Sequence, residues 1–178
     1  MKKLEIGPEP GKRIGDDWQT LDLIPDYNAD VIADINKPLD MIEDNTYDLI
    51  YASHILEHVP WFKSVNVLKE LFRILKPGGI VEIWVPDFEK IVQTYKEKRI
   101  KDSWFMKNPE HDFMQWVNGR IFAHDREESN IYNWHKSLYD ESHLRNCLEK
   151  AGFKDLKRLE KPRALDHGWI NLGMSGMK

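Results

Sequence analysis

The chain has 178 residues, 41% of them hydrophobic and 31% charged, which is room for one globular domain of ordinary balance and excludes two full enzymatic domains or wholesale disorder. Twenty-six Lys and Arg against thirty Asp and Glu leave a formal charge of −4, so no bulk electrostatic attraction draws it to nucleic acid or to an anionic membrane. A lone cysteine, Cys147, excludes an internal disulfide or a thiolate zinc cage, and the lack of a leader-like start or long apolar run predicts a cytoplasmic domain outside the membrane.

Short apolar runs with turn punctuation fill the first half. Lys3 to Ile6 reads as a strand running into a Gly-Pro loop, and Trp18 to Leu23 as a second. Asp30 to Ile35 is a third and Tyr47 to Ser53 a fourth; such nearly continuous apolar segments suit strands covered on both faces. The period then changes. Trp61, Val65, Leu68, Phe72 and Leu75 recur every three or four residues with polar residues between, which predicts an amphipathic helix stopped by Lys76-Pro77-Gly78-Gly79. Ile80 to Pro86 is a fifth strand, and the strand–helix–strand order predicts parallel pairing with a right-handed crossover. Asp87 caps a helix running to Lys98.

Residues 99–139 break this rhythm. They carry Trp104, Phe105, Phe113, Trp116, Phe122, Tyr132 and Trp134 together with His111, His124 and His135, and read as helical pieces and loops inserted over the sheet. A helix resumes from Asp140, with Leu144, Leu148 and Ala151 inward and Gly152 as its stop. Phe153 to Glu160 and Gly168 to Met174 are close enough to pair as two final antiparallel strands.

Four strand ends carry the chemistry. Gly7 lets the backbone bend under a ligand, and Asp22 is placed to accept from both hydroxyls of a ribose; the bland alternative is a Gly-Pro turn and a surface acid. A GxGxxG loop would need glycine where Glu9 stands, and a carboxylate beside a pyrophosphate repels it. A sulfonium cofactor without phosphate, S-adenosylmethionine, meets no such objection. Asp34 is positioned to accept from an adenine amine, or to cap a helix. After the fourth strand, His54, Glu57 and His58 spell H-x-x-E-H, an inverted zinc-protease pattern. Pro60 and the strand ending at Ser53 leave barely one helical turn, so no metal is expected at His54 and His58.

With "YDLIYASHILEHVPW" followed by "LKELFRILKPGGIVEIWVPDFEK", the chain resembles the class I S-adenosylmethionine-dependent methyltransferases over residues 3–87, most nearly the type 11-like small methyltransferases. Tyr139 to Phe153 also resembles that family's last helix. The resemblance implies an α/β fold: a Rossmann-like, seven-stranded, mostly parallel sheet with an antiparallel last strand and helices on both faces. It also implies S-adenosyl-L-methionine as cofactor. Carried over by position, Gly7 and Pro8 form the cofactor loop, Asp22 with Leu23 the ribose contact, Asp34 with Ile35 the adenine contact, and Ser53 with His54 the methionine side.

On this reading residues 1–178 form one methyltransferase domain, with 99–139 as its acceptor-binding insert. The acceptor is a small molecule or a sugar or glycan precursor. His135 in the insert and Asp87 beyond the fifth strand are the candidate catalytic residues, needed as bases only if the acceptor is protonated at neutral pH. Helix capping competes for Asp87, and packing for His135. Glu9 and the short run between the first two strands depart from the family pattern. They imply a pocket that is either more open than usual or closed by a partner subunit, as in a homodimer, and keep alive an alternative in which the chain is a non-catalytic cofactor-binding subunit.

Overall fold

The computed structural model describes residues 1–8, 13–25, 28–98, 112–122 and 131–178. The strands are β1 (Lys3–Ile6), β2 (Trp18–Asp22), β3 (Val31–Ile32), β4 (Tyr47–Ser53), β5 (Leu75–Pro86), β6 (Lys154–Leu159) and β7 (Asn171–Met177). They form one sheet in the order β3-β2-β1-β4-β5-β7-β6. The first five pair in parallel, while β7 runs antiparallel to both β5 and β6. The seven-stranded Rossmann-like sheet with an antiparallel last strand is therefore as expected. From β1 the chain winds one way to β2 and β3, and then returns to the other side of β1 for β4 and β5. That reversal places a crevice beyond the carboxyl ends of β1 and β4.

Helices α1 (Ser64–Ile74) and α4 (Glu141–Ala151) lie on one face, where Leu68, Leu71, Leu144 and Leu148 bury against Leu4, Ile50, Val81 and Ile83 of the sheet. Phe72 of α1 meets Phe153 edge to face at 5.2 Å. A smaller cluster of Trp18, Leu49, Tyr51 and Trp84 sits on the other face, packed by Ile14 and Leu159. Helices α2 (Phe88–Glu97) and α3 (Phe113–Ile121) meet past the carboxyl end of β5, where Ile91, Trp116 and Ile170 bury together and Trp116 stacks on Trp169. Trp116 of the insert is thus core. Trp104, Phe105, His111 and His124 fall outside the described residues, as does Glu9. Among the described residues no helix is long and apolar enough to cross a membrane.

Several boundaries differ from expectation for local reasons. Trp61 to Lys63 forms a separate 3-10 turn, and Trp61 is 70% exposed rather than inward, because Pro60 starts the turn and Trp61 N donates to Lys136 O. β3 keeps only two residues; the chain then turns at Asp34, whose Oδ1 accepts from Asn36 N. Lys76 to Gly79 ends the helix as expected yet continues as part of β5, tied by Gly78 N to Lys178 O and Lys178 N to Gly79 O.

Asp87 caps α2 by accepting from Glu89 N at 3.1 Å, and its other oxygen lies 3.7 Å from Lys90 and 3.6 Å from Arg158. Asp87→Ala should lower stability by about 1 kcal/mol through the lost cap, whereas Asp87→Asn keeps the acceptor and should leave turnover near wild type. A large loss of turnover in the Asn variant, at unchanged melting temperature, would restore Asp87 as a catalytic base.

Candidate active site

The carboxyl ends of β1, β2 and β4 open into one cavity of about 440 Å³, within the roughly 300–1,000 Å³ of small-molecule sites. Gly7 leaves β1 with φ +68°, a left-handed turn that suits glycine, while its N–H donates to Leu21 O and stitches the loop to β2. Every residue assigned to a cofactor from sequence lines this cavity: Gly7, Pro8, Asp22, Leu23, Asp34, Ile35, Ser53 and His54. Asn36, His58, Tyr132, Lys136 and His167 line it as well. A smaller cavity of about 190 Å³ adjoins it through Gly7, Ser53 and His167. The cations beside that cavity are already paired, Arg13 with Asp30 and Arg163 with both oxygens of Glu82.

Two acceptors in the main cavity call for donors. Burial pushes the Asp22 carboxyl above its usual range, although its Oδ1 accepts from Ile24 N at 2.7 Å. Asn36 Nδ2 donates to Asp34 Oδ1 at 2.9 Å, which fixes the amide and leaves Asn36 Oδ1 buried without a hydrogen-bond partner among the described residues. Sequence reading missed Asn36. Its only local signal is an acid two residues before it, the pattern of a side chain bonding its own turn.

His54 stands at the end of β4 with φ +55°. Its Nε2 is 2.9 Å from Asn171 Oδ1, whose amide nitrogen is committed to Asp166, so the histidine is the donor. Its Nδ1 is 3.2 Å from Glu57 Oε1, an ion pair whose angle makes no well-directed hydrogen bond. Burial alone would lower the His54 pKa, but Glu57 and Asn171 outweigh it and raise it. Asn171 Oδ1 takes the Nε2 proton and Glu57 lies beside Nδ1, so the His54 ring is held between these two groups. The His167 ring lies 3.9 Å away, centroid to centroid, brought from the loop before β7.

Glu57 is 2% exposed. Burial would raise its pKa, but His54, His58 and His135 around it hold it below the usual carboxylate range. His135 does not line the cavity; its ring centroid lies 5.1 Å from that of His58, and burial pushes its pKa down. Asp87 does not line the cavity either. The two candidate bases are therefore not brought together, and of the pair His58 and His135 it is His58 that lines the cavity. Tyr132, which lines the cavity, is exposed; Trp134 and Trp61 are exposed as well, and Trp61 N donates to the carbonyl of Lys136, itself a lining residue.

Residues 16–158 match the family described as a methyltransferase domain. Demethylmenaquinone methyltransferase of Staphylococcus haemolyticus is 32% identical over 122 residues, which are 65% of this chain and 44% of that protein. The chain thus spans about half the length of the curated relatives it matches. Among solved structures, an S-adenosylmethionine-dependent methyltransferase of Thermotoga maritima, a possible histamine N-methyltransferase, superposes with TM-score 0.59 at 16% identity, covering 99% of this chain and 82% of that one. The trans-methyltransferase CalH, solved with S-adenosylhomocysteine, gives TM-score 0.55 at 18% identity over 99% of this chain and 51% of that one. At such identities the structural likeness speaks for the fold.

Proposed function

The chain belongs to the methyltransferase-domain family, as a class I S-adenosylmethionine-dependent methyltransferase, and on that premise we propose that the 440 Å³ cavity binds S-adenosylmethionine for methyl transfer to a small-molecule acceptor. The observation that carries this reading is the pair of underused acceptors, the Asp22 carboxylate and Asn36 Oδ1. A ribose offers hydroxyl donors and an adenine offers an amine donor, so the residues present fit the cofactor. Asp22 takes the ribose hydroxyls, with Leu23 beside it. Asn36, with Asp34 and Ile35, takes the adenine amine. Gly7 and Pro8 allow close backbone approach, and Ser53 and His54 face the methionine portion. The bound cofactor supplies an electrophilic methyl group. The protein's own task is to orient an acceptor against it and exclude water. The exposed Tyr132 ring in the cavity lining offers a face on which a flat acceptor or a sugar ring stacks, which supports a sugar or glycan precursor.

Calorimetric titration of the full chain tests this. One equivalent of S-adenosylmethionine or S-adenosylhomocysteine should bind, and Asp22→Ala should weaken binding by about 1–3 kcal/mol, because hydroxyl donors lose a charged acceptor. No heat with either ligand, alongside clear binding of a nicotinamide dinucleotide, overturns the assignment. Binding without methylation of any nucleotide sugar or small-molecule acceptor would favour a non-catalytic subunit.

Asp22→Asn adds a second signature. A carboxyl whose folded pKa is raised favours the folded state while protonated, below its unfolded value, and loses that contribution as pH rises through the raised folded value. At neutral pH the ligand-free Asn variant should therefore melt slightly higher than wild type while binding cofactor more weakly. A lower melting temperature would show that the carboxylate serves the fold rather than the ligand. In wild type, cofactor affinity should fall as pH drops through the raised Asp22 value.

A further inference from the structure

We propose that Glu57, His58 and His135 form a site for a divalent transition-metal cation of the zinc class, set in the cavity wall. One ligand atom from each of these side chains lies within 4.8 Å of the others. A tetrahedral ion holds its donors about 3.4 Å apart, so small side-chain rotations close the set. Two imidazoles and one carboxylate with a position left open is the donor set of many catalytic zinc and other first-row metal sites.

Independent observations point the same way. The Glu57 carboxylate is 2% exposed; among the described residues Oε1 meets only the His54 ion pair, and Oε2 has no hydrogen-bond partner. A buried charged oxygen without a donor is costly, and a cation would satisfy it. Both histidines are held in the tautomer a ligand requires. His135 Nδ1 is 3.1 Å from Arg120 O, and His58 Nδ1 is 3.4 Å from Trp134 O. A carbonyl only accepts, so each Nδ1 carries the proton and each Nε2 lone pair is left for a metal. This is the outer support that metal-bound histidines have. His54 plays the matching part for the carboxylate by fixing Oε1. The segment carrying His135 is itself fastened, since Lys136 N and Ser137 N both donate to Glu57 O.

The H-x-x-E-H pattern therefore splits. His54 orients, Glu57 and His58 coordinate, and the second imidazole comes from the insert rather than from the motif. Of the three ligands His58 lines the cavity, and the open coordination position is assigned to that side. The ligand class for that position is an oxygen donor, such as the hydroxyl of an acceptor, which gives its proton to solvent as its oxygen settles on the cation. This role rests on the methyl-transfer reading, whereas the metal site itself does not.

The test uses the tag-free full chain after treatment with EDTA, titrated with zinc chloride and with manganese chloride. One equivalent of zinc should bind with micromolar or tighter affinity. His58→Ala and His135→Ala should each weaken it at least tenfold, and His143→Ala, on the exposed face of α4, should not. Circular dichroism melts show whether each variant is folded. Cobalt chloride should give visible absorption bands in wild type that vanish in His135→Ala, a readout that a merely structural role would not produce. No binding of zinc or manganese at millimolar metal overturns the site, as does zinc binding undiminished in both histidine variants. A parallel titration of the metal-free protein with S-adenosylmethionine keeps the two readings apart. Metal bound without cofactor supports the site and removes the proposed role.

Discussion

Glu57→Gln should lower the stability of the chain by about 3–5 kcal/mol, the usual consequence of removing one partner from a buried ion pair. In a protein of this size that corresponds to a fall in Tm of roughly 6–20 °C. Glu57 is 2% exposed, and its carboxylate is the ion-pair partner of His54, which is partly buried beside His167 and held at its other nitrogen by Asn171. With an amide at position 57, His54 loses the carboxylate that raises its pKa and the ion-pair partner beside its Nδ1. A double-mutant cycle identifies the cause. His54→Gln and Glu57→Gln together should cost less than the sum of the single variants, with a coupling of at least about 1 kcal/mol. Strict additivity would mean that the two groups do not depend on each other.

Gly7→Val should damage stability and cofactor affinity at once. At φ +68° a β-branched residue carries a backbone penalty of about 1–3 kcal/mol. A Cβ at Gly7 would also come within 1.9 Å of Ile55 Cδ1 and 2.5 Å of Cγ1, so the Ile55 side chain must move. Ile55 lines the same cavity as Gly7, and its displaced side chain enters the space assigned to the ligand. We expect cofactor affinity to fall at least tenfold in Gly7→Val. Gly7→Val with Ile55→Ala should recover part of that affinity, because the backbone penalty remains while the clash does not. Full affinity in Gly7→Val alone would show that the ligand does not lie over this loop. The sequence singles out this glycine for close approach to a ligand; the structure adds that a hydrophobic side chain already fills the space beside it.

Local rules made much of the fold legible. Asp87 and Asp140 accept from the first helical N–H groups, and Gly152 takes the left-handed C-terminal position, because caps are interactions over two to four residues that the sequence displays directly. The strands were legible from their apolar runs, and β6 with β7 from their spacing. All eight expected cavity residues were legible for a related reason. Parallel strands present their carboxyl ends on one edge, so residues just past Ile6, at Asp22 and after β4 must meet there once the sheet forms.

What only the tertiary structure decided involves pairs distant along the chain. Nothing in the spacing of His54, Glu57 and His58 says that one histidine turns to Asn171 on β7 while the other meets His135 from the insert. Nor does it say that Asp87 is taken up by Lys90 and Arg158. The amphipathic period placed Trp61 inward, but its backbone bond to Lys136 belongs to a contact between two loops and leaves the ring in solvent. The orphaned Asn36 oxygen depends on which way one amide faces, and that is set by Asp34 once β3 stops at Ile32. Periodicity and caps encode neighbours within a few residues. The direction of a side chain at a shared edge is settled by sheet order and by the loops that cross it, so the sequence located the cavity and the packed structure assigned its groups.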